Sequence, residues 1–283
     1  MGAGRSGSTT LGIVLGNCAD VFYGGELDNW LVRSGVPQVE DPERITFWER
    51  VRAELDDPGA ASELFGNEAQ RAIERSLSLL RVHKWRTRRR LAHSYRAVAG
   101  DLYRGLTRAA GVTHIADTSH YPLRALELQR VDGIELYLVF LVRDPQAVVA
   151  SFNRHDVGEY TKSTLHTNVY LWLTHLLSLY VFLQQPRERR LLVRYEDFVA
   201  DPGAVVRQIL DGSGAPATSL PDFTSLHTGF PLQGNRVSRS DTLSLKPRAD
   251  PLPRSSPVTR LVQAPLMAAL ARLRPTSRHS GAR

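Results

Sequence analysis

Gly2-Ala3-Gly4-Arg5-Ser6-Gly7-Ser8-Thr9-Thr10-Leu11 sets small hydroxyl-bearing residues between glycines, around a single arginine. A backbone of this composition can curl so that its N–H groups converge on an anion. The residues Thr10-Leu11-Gly12-Ile13-Val14-Leu15 read as the first turns of a helix, whose positive N-terminus adds to that attraction. The spacing is close to the GxxxxGK[ST] loop of nucleoside triphosphatases, but Ser8 stands where a lysine would hold the terminal phosphates. This argues against a kinase-like phosphotransferase or an NTPase. The cation is Arg5 instead, whose guanidinium fork can grip a phosphate or sulfate at two points. Gly4, Arg5, Ser6, Gly7, Ser8, Thr9 and Thr10 form the first candidate anion site.

A second site follows an apolar run. Leu141-Val142-Arg143-Asp144-Pro145 puts an arginine at the end of an expected strand, where open α/β sheets have their ligand crevice. Asp144-Pro145 opens a helix, and Ser151 lies two turns along it. Arg143 and Ser151 can share one phosphate, or Arg143 can pair with a carboxylate that caps the helix.

These residues need a scaffold. Glu135–Val142 is a continuous apolar run, as a parallel strand covered on both faces requires. Further strands are expected at Val21–Tyr23, Val112–Ala116 and Leu191–Tyr195. Helices are expected at Pro42–Leu55, Ala61–Leu80, Arg89–Ala109, Leu123–Arg130, Pro145–Arg154, Ser163–Gln185 and from Asp201-Pro202 to Leu210. The alternation predicts an α/β, three-layer open parallel sheet with helices on both faces. Residues 1–245 form that domain. Residues 246–283 form a basic, proline-rich tail with a short amphipathic helix, interrupted by Pro265, that docks on the domain, is disordered, or meets a membrane surface.

Composition narrows the function. The formal net charge is +7, but the tail from Lys246 holds eight basic residues and one acidic residue, Asp250. The remainder is neutral, so no nucleic-acid partner is implied. Arg81–Arg90 is a second basic cluster, read as a solvated helix face or a site for an acidic ligand. One cysteine, Cys18, excludes an internal disulfide or a cysteine metal cluster and fits a reducing, cytoplasmic setting. No secretory or transmembrane segment is legible.

In order and spacing, the GxxRSGST loop, the RDPxxxxxS segment and Val193-Arg194-Tyr195-Glu196-Asp197-Phe198 resemble the sulfotransferases that use 3′-phosphoadenosine 5′-phosphosulfate (PAPS). Gly25-Glu26-Leu27, Phe47-Trp48, Asp117-Thr118-Ser119 and Gly234-Asn235-Arg236 are similar to the bacterial branch. The resemblance covers residues 2–240 and implies a P-loop NTPase-like sulfotransferase fold, PAPS as co-substrate, no metal, and a hydroxyl-bearing acceptor. It implies that Arg5–Thr10 bind the 5′-phosphosulfate and that Arg143 and Ser151 bind the 3′-phosphate. Tyr195 would lie near the adenine, and Gly234, Asn235 and Arg236 would close over the nucleotide. Glu26 is the first choice of base. His120 stands where relatives usually carry lysine, so it would supply charge if protonated or act as the base itself; Arg5 completes the catalytic set. A non-catalytic nucleotide-binding protein is the other reading. The fold's first strand is expected to be missing or truncated, because Met1 adjoins the loop; an in-frame apolar segment upstream would supply it.

Overall fold

Four Asp-Pro pairs start four helices, each by the same device. The side chains of Asp41, Asp57, Asp144 and Asp201 accept a backbone N–H from the first turn, and the following proline supplies a preset φ where no N–H is needed. The computed structural model describes residues 1–39, 41–75, 82–153, 163–245 and 256–273. In chain order its elements are α1 (Ser8–Gly16), β1 (Val21–Gly25), α2 (Pro42–Ala53), α3 (Pro58–Glu63), α4 (Val82–Ala110), β2 (His114–Asp117), α5 (Pro122–Leu128) and β3 (Leu138–Val142). They continue with α6 (Pro145–Phe152), α7 (Thr164–Gln184), β4 (Arg190–Arg194), α8 (Tyr195–Ala200), α9 (Pro202–Ser213), β5 (Leu226–His227), β6 (Thr242–Leu243) and α10 (Pro257–Ala271).

β1 pairs in parallel with β2, and β3 in parallel with β4; β5 and β6 form a small antiparallel pair. Alternation along β3 builds the layers. Leu138, Phe140 and Val142 join a core with Val181 and Phe182 of α7 and Leu266 and Leu270 of α10. Val139 and Leu141 face the other way, into a core with Ile13 and Val14 of α1 and Val206, Ile209 and Leu210 of α9. β1 shares that second core through Val21 and Tyr23, while Phe22 packs on a third around Trp30, Trp48, Tyr95 and Leu102. The expected α/β architecture with helices on both faces is therefore present.

The parallel sheet is in two halves. A cavity of about 630 Å³ lies between them, lined by Ile115, Ala116 and Asp117 of β2 and by Leu138, Val139 and Leu141 of β3. Among the described residues Met1 alone enters the ladder beside β3: its ammonium donates to Val139 O at 2.7 Å and its carbonyl accepts from Leu141 N at 3.0 Å. That alternation of bonds is the parallel pattern.

Two expectations need correction. Ala61–Leu80 is not one helix: α3 starts earlier, at Pro58, and Gly66, at φ +110°, breaks the chain before a short turn at Asn67–Ala69 and a wide π-turn at Gln70–Glu74. Residues 76–80 of that expectation lie outside the described residues. Pro265 does not interrupt α10, which runs through it. The docked alternative for this helix is the one observed: Asn168 Nδ2 donates to Thr259 Oγ1 at 3.0 Å, and Trp172 Nε1 to Val262 O at 2.8 Å. In the basic cluster, Arg88 pairs with Glu127 at 2.5 Å and Arg90 with Glu68 at 2.9 Å. Among the described residues no helix is long and apolar enough to cross a membrane.

Candidate functional site

The loop of residues 2–8 is a sharp turn between Met1 and α1. Arg5 takes φ +67° and Gly7 φ +93°, both left-handed. Glycine is required at position 7 for a second reason: a Cβ there would collide with the Tyr195 ring. Gly4 N–H donates to the phenol of Tyr170 at 2.8 Å. Ser6 and Thr9 are buried, and among the described residues Ser6 Oγ has no hydrogen-bond partner. A buried orphan hydroxyl inside an amide-lined turn is suited to an incoming acceptor atom.

Arg143, just past β3, ties the two candidate sequences together. Its Nη1 donates to Arg5 O at 3.1 Å, and its guanidinium lies 4.5 Å from the centroid of the Tyr195 ring. The cap of α6 comes from another residue: the Asp144 side chain accepts from Gln146 N at 2.7 Å, while Asp144 N donates to Glu196 Oε1 at 2.8 Å. Ser151 sits in the last turn of α6, adjacent to Phe152, whose ring faces the Arg5 guanidinium at 5.9 Å. No hydrogen bond joins Ser151 to Arg143 among the described residues.

Opposite the loop lie Glu26 and His120. The parallel β1–β2 register, shifted by a bulge between Tyr23 and Gly25, brings the ends of both strands to one place. His120 Nε2 lies 3.2 Å from Glu26 Oε1, and Gln233 Nε2 donates to Glu26 Oε2 at 3.4 Å. Burial disfavours the His120 imidazolium, but the hydrogen bond and charge of Glu26, with the charge of Asp28, outweigh it and raise the pKa. The segment holding Gly234 is fixed from the same side. Glu26 N donates to Gln233 O at 2.8 Å, and Leu232 N to Gly24 O at 2.9 Å. A Cβ on Gly234 would come 3.7 Å from Thr9 Cγ2, so this turn overlies the start of α1. Asn235 is occupied locally, its side chain accepting from Val237 N at 2.9 Å, and Arg236 is exposed.

Below His120 is a buried polar cluster that sequence reading missed. Asp117 accepts from Ser119 N at 2.7 Å, Ser119 Oγ at 2.5 Å and Tyr103 OH at 2.5 Å, and pairs with Arg124 Nε at 3.2 Å. Arg124 also binds Glu74 Oε1 at 2.8 Å. Burial pushes Glu74 up to about 7 and Asp28 up to about 6. The only legible signal was Asp117-Thr118-Ser119; the partners come from four other segments. Tyr170 was missed because its helix reads as an apolar run.

The family model described as Sulfotransferase family matches residues 135–219, the stretch that holds Arg143, Ser151 and Tyr195. The fold is similar to the sulfotransferase domain from the curacin biosynthetic pathway, with a TM-score of 0.53, 18% identity, and 94% of this chain and 95% of that one covered. It is similar also to the sulfotransferase domain of the Synechococcus PCC 7002 olefin synthase, with a TM-score of 0.50, 19% identity, and 94% and 92% covered. No curated protein sequence matches significantly. The fold is thus the sulfotransferase fold, as the motifs led one to expect.

Proposed function

We propose that the protein transfers a sulfuryl group from PAPS to the hydroxyl of an acceptor. The observation that carries this reading is Arg143, set between the Arg5 carbonyl and the Tyr195 ring, which makes one site of two anion-binding sequences. Two cationic groups spaced around a glycine loop suit a ligand with phosphates at both ends of a nucleoside.

In this reading Arg5, Ser6, Gly7, Ser8, Thr9 and Thr10 hold the 5′-phosphosulfate, with the buried Ser6 hydroxyl as an added donor. Arg143, with Ser151, holds the 3′-phosphate. Tyr195 offers its ring to the adenine, and Gly234–Arg236 cover the nucleotide. The acceptor oxygen attacks sulfur, its proton passes to Glu26, and the bond from sulfur to the 5′-phosphate oxygen breaks. Adenosine 3′,5′-bisphosphate leaves with the electron pair. Arg5 and the loop amides meet the charge on the non-bridging oxygens, as oriented donors do for an oxyanion. His120, protonated beside Glu26, adds positive charge where relatives usually have lysine.

Mass spectrometry of a panel of phenols, alcohols and sugars incubated with PAPS tests the proposal. One added sulfate on an acceptor, with release of the bisphosphate, is the expected result. Tight bisphosphate binding with no transfer to any acceptor would favour a nucleotide-binding protein without catalysis.

A further inference from the structure

Helix α7 turns an apolar side outward. The side that packs inward on α5, α6, α10 and β3 mixes Leu171, Val181 and Phe182 with the polar Thr167, Asn168, Thr174, His175 and Ser178, all buried. The side facing solvent carries Leu165, Val169, Leu173, Leu176, Tyr180 and Leu183, which are 44–71% exposed. A helix on the surface of a monomer does the opposite. Val258, Leu261 and Val262 of α10 are exposed as well. The two helices also line a groove of about 460 Å³ whose walls include Val169, Trp172, Leu173 and Val262.

The spacing of the exposed residues identifies what fits against them. From Val169 the intervals are four, three, four and three, through Leu173, Leu176 and Tyr180 to Leu183. That is an a/d seam over two heptads, the pattern that seats knobs of one helix in holes of another. At 21 residues, α7 is about 31 Å long, so the whole seam is available to a helix of equal length.

Charge and area narrow the partner further. Thr164–Gln184 contains no Asp, Glu, Lys or Arg. A helix lying on a lipid surface relies on Lys and Arg along its polar side, and α7 has none. A heterologous partner read by charge has nothing on this helix to read, whereas an uncharged seam is complementary to itself. A standard interface takes about 800 Å² from each partner, about 60% of it apolar, or about 480 Å². The nine exposed apolar side chains of α7 and α10, each about half exposed, supply on the order of 400 Å². The patch is thus close to the size one side of a two-fold dimer needs, and patches of that size on a protein surface often mark an interaction site.

We propose that two copies of this chain associate through α7, packed antiparallel across a two-fold axis, with α10 flanking the seam. Sedimentation equilibrium of the full chain at micromolar concentration should give twice the mass of one chain. Leu173→Glu with Tyr180→Glu should give a monomer with an unchanged circular dichroism spectrum, because both positions face solvent in the single chain. Leu176 lies near the helix midpoint, and Cys18, the one native cysteine, is buried. Leu176→Cys should therefore form a disulfide-linked dimer under mild oxidation, a readout that holds even if the glutamate variant fails to fold. A chain that stays monomeric across the concentration range would overturn the proposal. A dimer insensitive to the glutamates with no Leu176→Cys crosslink would do the same, as would a monomer that co-floats with phospholipid vesicles.

Discussion

His120 Nε2 lies 3.2 Å from Glu26 Oε1, joining the residue after β1 to a residue just beyond β2. Parallel pairing of the two strands makes the contact, and the Asp117–Ser119 hydrogen bonds hold the backbone that carries His120. Because the histidine pKa is raised, the stability it contributes is full below about 6.5 and is lost as pH rises through the folded value.

The same pairing fixes the expected kinetics. Glu26→Gln should lower kcat by about 100- to 10,000-fold, as loss of a general base does, with bisphosphate affinity unchanged. Turnover should fall on the alkaline side as His120 loses its proton, and His120→Lys should move that fall to higher pH. Full activity of Glu26→Gln across the pH range would transfer the base role to His120.

Arg124 is the keystone beneath the pair. Removing it leaves Glu74 and Asp117 buried without their cation. Arg124→Leu should therefore destabilise the fold by about 3–5 kcal/mol in urea denaturation. Tyr103→Phe, which strips one donor from Asp117, should cost about 1–3 kcal/mol.

The gap between the sheet halves makes a stabilisation prediction. Burial lowers the Met1 ammonium pKa to about 6, with that group in the ladder beside β3. A Val/Ile-rich extension of about five residues, a usual strand length, placed before Met1 should fill the cavity and continue the ladder. Thermal denaturation should show a higher Tm than the chain without it. An unchanged or lower Tm would mean that the cavity does not accept a strand.

Local chemistry was legible in this sequence where it was written in consecutive residues. Gly7, Arg143, the helix starts at Pro42, Pro145 and Pro202 and the apolar run of β3 stand where their spacing put them, whereas the start at Asp57-Pro58 was not read. The cluster around Arg124 was not legible, because Glu74, Tyr95 and Tyr103 of α4, and Asp117 converge from three separate segments and each is ordinary alone. Periodicity also misled at Ala61–Leu80, where Gly66 in a left-handed conformation ends a pattern that apolar spacing alone continues. Neither the split of the sheet nor the outward apolar side of α7 has a one-dimensional signature, since both depend on which neighbour is present.

His175 carries a pH prediction. It is fully buried against Phe140, both ring nitrogens lack partners among the described residues, and burial pushes its pKa down to about 4. Between pH 4 and 6.5 the unfolded chain binds a proton there that the folded chain does not, so this group makes stability rise with pH, by roughly 3 kcal/mol across the window. Asp28 and Glu74 act oppositely: their raised values hold protons in the fold that unfolding releases. Comparing urea midpoints of the wild type and His175→Leu at pH 4.5 and 7 isolates the histidine. The variant should show the smaller gain at pH 7.

In the proposed function Arg5 and Arg143 together hold a nucleoside carrying phosphates at both its 3′ and 5′ positions. Isothermal calorimetry with adenosine 3′,5′-bisphosphate and with ADP, both in EDTA, measures this directly. The expected result is binding of the bisphosphate, weaker binding of ADP, and a loss of roughly ten- to a hundred-fold in bisphosphate affinity in Arg143→Ala, the worth of one charge-assisted contact. No heat with the bisphosphate, or an Arg143→Ala variant that binds it as tightly as the wild type, would contradict it.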